Sequence, residues 1–232
     1  MPFSIVAGVA ITILIELFTA EGCSSCPPAD ALLEKLLEQQ PADGVVLVGL
    51  GEHVDYWDRE GWKDRFSAAL FTARQRDYVS RGVGAEVFTP QMVVDGRVAF
   101  VGSDVNALRA AVERAKSEPH GTIEIHVEPG KDGAIGVSLA IAGVMPSGRA
   151  DVFLAVTEDH LRTDVQRGEN KGRTLTHAAV VRRLESLGDV KEKIRADVHI
   201  ARDWHRENLH IVAFVQERTS RRVLATAVAS PP

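Results

Sequence analysis

The only two cysteines in the 232 residues, Cys23 and Cys26, stand together in "EGCSSCPPAD", Glu21 to Asp30. Two cysteines with two residues between them can serve as a reversible disulfide, as half of a zinc site or as a structural staple. A bridge across so short a loop constrains the unfolded chain very little, which makes a staple a poor use of it. A zinc site needs two further ligands at matching spacing, and the chain has no second cysteine pair. The flanks favour redox chemistry, since an apolar run leads in and a helical pattern leads out. A helix start offers unpaired N–H groups and a partial positive charge, and both stabilise a thiolate. On that reading Cys23 attacks a partner, and Cys26 then attacks the mixed disulfide and releases it.

Other residue types with chemistry cluster in two further stretches. "GEHVDYWDREGWKD" carries His53, Asp55, Tyr56, Trp57 and Trp62 straight after a second apolar run. His53 can shuttle a proton to a leaving thiol, or join Cys23 and Cys26 in holding a soft ion such as Cu(I). It can equally be a hydrogen-bonded loop histidine, with Asp55 capping a turn. The two tryptophans suit a partner groove or simple packing of the loop. "RGENKGRTLTH" brings Arg167, Glu169, Asn170, Arg173 and His177 into one polar loop. These can bind an anion, pair across to the first half of the chain, or form local turns. His126, His199, His205 and His210 read as ordinary sheet residues.

The elements that must position these residues follow from periodicity. "AITILIELFT", Ala10–Thr19, is nearly unbroken and β-branched, as a strand covered on both faces would be. "PPADALLEKLLEQQ" has leucines at helical spacing and prolines where only a first turn tolerates them. "VVLVGL" is a second buried strand, and a helix is predicted from about Phe66 to Val79. "VFTPQMVVDGRVAFVG" reads as a hairpin turning at Asp95-Gly96, and "SDVNALRAAVERAKSE" as an amphipathic helix with Ser103 or Asp104 as its N-cap. The order is β-α-β-α-β-β-α over residues 1–118. From Pro119 the texture changes to short alternating runs, predicting a separate all-β sandwich-like domain of about seven strands over 119–232. "RTLTHAAVVRRLESLG" is ambiguous between strand and helix.

That element order, with C-x-x-C after the first strand, resembles the thioredoxin fold. The resemblance implies that Pro90, with Thr89 before it, is a cis-proline facing the cysteine pair at the start of the third core strand. It also implies a role for Glu16, buried in the first strand, as the acid that takes protons from the resolving cysteine. More closely, "ELFTAEGCSSCPPADALL", "HVDYWDREGWKD", "FTARQRDYV", "TPQMVVDG" and "GENKGRTLTH" resemble the bacterial thioredoxin-like "domain of unknown function 1223" family. The resemblance implies a thioredoxin-like domain joined to a β-rich one and a thiol-redox site at Cys23 and Cys26. It supplies no substrate. Departures from ordinary thioredoxins are Gly22 where a Trp stands before the first cysteine, Ser24-Ser25 between the pair, and Pro27-Pro28 after it.

Composition bounds the rest. The chain is 45% hydrophobic and 25% charged with net charge −5, and no half is strongly basic, so nucleic acid is not an expected partner. The apolar N-terminal run has no preceding Lys or Arg and is too short to span a bilayer, so stable membrane insertion is not expected. It reads mainly as strand. The compartment is cytoplasmic for the chain as written, and extracytoplasmic if it follows most of the resembling family. The expectation is a thiol-disulfide oxidoreductase needing no cofactor beyond its redox-active disulfide, with a protein thiol or disulfide as substrate and an upstream redox partner. The rivals are a copper-handling protein using Cys23, Cys26 and His53, and a binding module that keeps the fold without turnover.

Overall fold

A computed structural model describes residues 10–40, 44–130 and 133–232. Residues 4–9 of the N-terminal apolar run, 41–43 of "PADG" and 131–132 of "GKDG" lie outside the described residues.

The first half follows the predicted order: β1 Ile11–Thr19, α1 Pro27–Gln39, β2 Val45–His53, α2 Ala69–Ser80, β3 Gln91–Val94, β4 Val98–Val101 and α3 Val105–Lys116. The two faces of β1 explain the packing. Ile13, Ile15 and Leu17 pack with Ala29 and Leu33 of α1 and with Leu108, Ala111, Val112 and Ala115 of α3. Leu14 and Phe18, on the opposite face, pack with Phe71 and Tyr78 of α2. Each such large side chain contributes about 1.5–3 kcal/mol on burial, so β1 must be an interior strand covered on both faces. α3 starts where expected, the Asp104 carboxylate accepting from the N–H groups of Asn106 and Ala107. α2 starts three residues later than predicted. Phe66 N–H donates to the Asp64 carboxylate and Ala68 N–H to the His53 carbonyl, tying those residues back to β2.

The second half contains β5 Thr122–Pro129, β6 Ile135–Ala142, β7 Ala150–Glu158, β8 Leu161–Asp164, β9 Thr174–His177, β10 Val180–Asp189, β11 Lys193–Val198, β12 Leu209–Glu217 and β13 Val223–Ala229. The ambiguous "RTLTHAAVVRRLESLG" is thus strand. The expectation of a separately cored sandwich is corrected. Four of these strands extend the first sheet, giving one mixed eight-stranded sheet in the order β13-β12-β7-β10-β2-β1-β3-β4. Three others form a second sheet, β11-β6-β5, packed over β7, β12 and β13, while β8 and β9 pair with each other. The seam is at β10, whose Val180 pairs with Gly51 of β2. Gly51 N–H donates to the Ala179 carbonyl at 2.7 Å. A Cβ at Gly51 would come within 3.1 Å of the Ala178 carbonyl oxygen, so the seam needs glycine there. One core cluster joins Leu14, Val48 and Tyr78 to Ala155, Val212 and Phe214. The two halves share a core because near-continuous apolar strands on both sides of residue 118 each need cover on two faces. The result is a mixed α/β fold with one large mixed sheet and additional β sheets.

Candidate functional site: the cysteine loop and its surroundings

Cys23 and Cys26 form a disulfide, with Cα atoms 5.4 Å apart, in the loop from β1 to α1. Pairing with β2 on one side and β3 on the other fixes the incoming strand, and Cys26 is the N-cap residue of α1. Both cysteines are fully buried, while Ser24 and Ser25 between them are exposed. The helix start offers less to a thiolate than expected. Pro27 and Pro28 have no N–H, and the N–H groups of Ala29 and Asp30 both donate to the Cys26 carbonyl, at 2.8 and 3.1 Å. What remains is the partial charge of the helix and the Ser25 hydroxyl, 3.4 Å from Cys23 Sγ.

Thr89–Pro90 is cis, and Pro90 is buried directly before β3. Thr89 Oγ1 accepts from Trp57 Nε1 at 2.8 Å. Trp57 packs on the core cluster that contains both cysteines, and its Cβ is 3.3 Å from where a Cβ on Gly22 would sit. Gly22, in the place of a tryptophan, therefore makes room for Trp57. Asp55, by contrast, bonds to Thr72 of α2, and Tyr56 to Gln75.

His53 is buried in a polar cluster. Its Nδ1 lies 2.6 Å from Asp64 Oδ2, which also accepts from Glu21 N–H at 2.9 Å. Burial alone would lower the His53 pKa, but the Asp64 carboxylate outweighs it and holds the imidazolium form up. Burial likewise works to raise Asp64, yet His53 and the backbone donors hold it down at about 2. Glu21 accepts from Trp62 Nε1 at 2.7 Å, and its other oxygen is 3.3 Å from His177 Nε2. Asp30, in the first turn of α1, has its pKa raised by burial, partly offset by His177 and His53. Sequence reasoning named His53, Trp62 and His177 but missed Glu21, Asp30 and Asp64. Glu21 and Asp30 bracket the quoted cysteine stretch, which was the available signal. Among the described residues no group of three or more His, Cys, Asp or Glu is arranged to hold a metal ion.

Glu16 is buried, but its partners lie in α2. Oε1 accepts from Arg74 Nε at 2.6 Å, and the Tyr78 hydroxyl donates to Oε2. Arg74 also lies 3.3 Å from Glu52 and bonds to Gln216 of β12. Burial and the neighbouring Glu16 carboxylate hold the Glu52 pKa well above the usual range. Among the described residues Glu16 makes no hydrogen bond to the cysteine loop. Arg74 lies 58 residues from Glu16 and 142 from Gln216 in sequence, and nothing in that spacing marks the network.

The polar loop "RGENKGRTLTH", between β8 and β9, reaches the cysteine loop. Asn170 is fully buried and donates both amide hydrogens, to the Glu21 and Cys23 carbonyls at 2.8 and 2.9 Å. Glu169 Oε2 accepts from Ser24 N–H at 3.0 Å, and the Ser24 side chain together with this N–H lowers the Glu169 pKa. Arg173 donates to Asn170 Oδ1, and Arg167 is exposed. The pairing across to the first half of the chain is thus the use made of Glu169, Asn170 and His177.

A family model described as Protein of unknown function (DUF1223) matches residues 14–216. The chain belongs to this family. The match takes in β1, the cysteine loop, Pro90 and the Asn170 loop together. No curated protein matches this DUF1223 chain. Among solved structures, it is similar to the X-ray structure of a structural-genomics protein from Agrobacterium tumefaciens, at TM-score 0.69 and 22% identity over 96% of each chain. It is also similar to HBP35 of Porphyromonas gingivalis, at TM-score 0.69 and 11% identity, over 97% of this chain and 76% of that one. At these identities the likeness is one of fold. No described helix is long and apolar enough to cross a membrane.

Proposed function

We propose that this DUF1223 chain is a thiol-disulfide oxidoreductase of thioredoxin-like architecture, acting on a protein disulfide or dithiol through Cys23 and Cys26. The observation that carries the reading is the Cys23–Cys26 disulfide at the end of the interior strand β1 and the start of α1, with Thr89–Pro90 leading into the adjacent β3. The strand order β2-β1-β3-β4, with α1 and α3 on one face and α2 on the other, supports it.

The reaction is a two-step exchange. In the oxidising direction a substrate thiolate attacks one sulfur, forming a mixed disulfide and releasing the other cysteine as a thiolate. The second substrate thiol then displaces the mixed disulfide. The substrate leaves as a disulfide, and the chain keeps two electrons and the two substrate protons as Cys23 and Cys26 thiols. The reducing direction is the reverse. No resident cofactor enters this scheme. The buried Glu21, Asp30, His53, Asp64 and His177 are the groups near the loop that can exchange protons with it.

Incubation of single-cysteine variants with a reduced or oxidised model protein tests the reading. Cys23→Ser should abolish exchange, and Cys26→Ser should accumulate a mixed disulfide visible on a non-reducing gel. Full exchange by Cys23→Ser would refute it.

A further inference from the structure

Both sulfurs of the pair are fully buried, although the serines between them are exposed. Exchange requires a thiolate to approach one sulfur along the S–S axis. Some part of the surroundings must therefore move before any partner can react. Three hydrogen bonds hold the cysteine loop to the segment 165–173: Asn170 to the Glu21 and Cys23 carbonyls, and Glu169 to the Ser24 N–H.

We infer that the 165–173 loop is a closure over the Cys23–Cys26 pair, and that Asn170 is the residue that positions the cysteine loop beneath it. Its biological use rests on the thiol-exchange reading above.

The arm lies outside the main sheet. Its two strands, β8 and β9, pair only with each other among the described residues. The loop between them is held by its own bonds: Val165 N–H to the Arg173 carbonyl, Gly172 N–H to the Val165 carbonyl, and Lys171 N–H to the Gly168 carbonyl. Gly168 and Gly172 sit at φ +76° and +80°, which lets this compact shape form without strain. The loop can therefore move as one piece relative to β8 and β9, which are themselves held by Thr176 on Glu34, Arg65 on the Arg162 carbonyl, and Leu161 packed with Phe66 and Val180.

Asn170 is suited to the positioning role and few residues could replace it. Its amide gives both donors to carbonyls of the cysteine loop, and its oxygen accepts from Arg173 Nη1 at 3.1 Å, so both donors and one acceptor position are used. Aspartate has the same size and no donor. Alanine leaves the two carbonyls without these partners. A second attachment lies at the base of the arm, where His177 Nε2 is 3.3 Å from Glu21 Oε1.

Reduction of the oxidised full-length protein by dithiothreitol, sampled by acid quench and alkylation, tests the closure. In that reaction dithiothreitol becomes its cyclic disulfide, and Cys23 and Cys26 become thiols. Asn170→Ala and Asn170→Asp should each raise the second-order rate by about tenfold or more, as expected for two lost hydrogen bonds of ordinary net strength. Glu169→Ala, which removes one surface contact, should raise it by about threefold. Loss of a closure accelerates both directions, so the equilibrium of the pair with glutathione should move by less than about threefold. Rates within about twofold of wild type in an Asn170 variant that keeps its melting temperature would overturn the inference. So would a faster rate accompanied by a large equilibrium shift, which would make Asn170 a tuner of the potential instead. If the Asn170 variants do not fold, an unchanged rate in Glu169→Ala overturns it. The dithiothreitol rates answer this question whether or not a partner protein is ever oxidised; the Cys23→Ser and Cys26→Ser experiment answers that one separately.

Discussion

Replacing Arg74 by methionine should destabilise the protein by about 3–5 kcal/mol, because it leaves the Glu16 carboxylate buried without its counter-charge. The guanidinium is almost fully buried, 2.6 Å from Glu16 and 3.3 Å from Glu52, and burial, which would lower its pKa, is outweighed by those carboxylates. In a chain of this length each kcal/mol moves the melting temperature by about 2–4 °C, so the expected drop is about 6–20 °C. Glu16→Gln should cost less, about 1–2 kcal/mol. The reason is Glu52, whose carboxyl is held up by burial and by the Glu16 charge. With that charge gone, Glu52 can ionise and pair with Arg74 in its place. The double variant should be more stable than Arg74→Met alone, since neither charge is then stranded. Urea unfolding of all four proteins followed by circular dichroism measures the cycle. The dithiothreitol rate of Glu16→Gln, measured alongside, should stay within about twofold of wild type, because Glu16 bonds to α2 and not to the cysteine loop. An Arg74→Met cost under about 1 kcal/mol, or additivity within about 0.5 kcal/mol, would refute the ion-pair account. A shifted thiol rate in Glu16→Gln would restore the proton-acceptor role expected from the sequence.

Asp64, held at about 2 against an ordinary 3.8, contributes stability that is present above pH 3.8 and is lost as the pH falls toward 2. The gap in unfolding free energy between wild type and Asp64→Asn should therefore shrink by about 2 kcal/mol between pH 4 and pH 2, and a gap that stays flat would count against the His53–Asp64 pair. Gly51→Val should cost about 1–3 kcal/mol by forcing a side chain against the Ala178 and Ala179 carbonyls at the seam with β10. An unchanged urea midpoint would show that the seam is looser than this geometry implies.

Local signals carried the first half of the fold. β1 is apolar on both faces, the leucines of α1 recur at helical spacing, Asp95-Gly96 turns the hairpin with both residues at positive φ, and Asp104 caps α3. Each is a property of a few consecutive residues. The strands of the second half were equally legible one by one, yet their assembly was not. Nothing in the runs of β7, β10 and β12 distinguishes a strand that closes a sandwich from one that extends a neighbouring sheet, since both need alternating or continuous apolar faces. Gly51 is what lets β10 come close against β2. A glycine in an apolar strand is visible in sequence, but its partner Val180 lies 129 residues away.

The site divides in the same way. Cysteine spacing and the strand-to-helix flanks mark Cys23 and Cys26 because thiol chemistry needs particular side chains in a particular local frame. Their burial is a different kind of fact. Around them Trp57 fills the space left by Gly22, and Asn170 bonds to a carbonyl 147 residues earlier. Even the helix start misleads when only its charge is considered. Pro27 and Pro28 favour the first turn of α1, and in doing so they remove the N–H groups that would have faced a thiolate. A thiolate formed here gains less from the helix start than a turn bearing those N–H groups would give, and the loop that carries it is tied to segment 165–173 through Asn170 and Glu169.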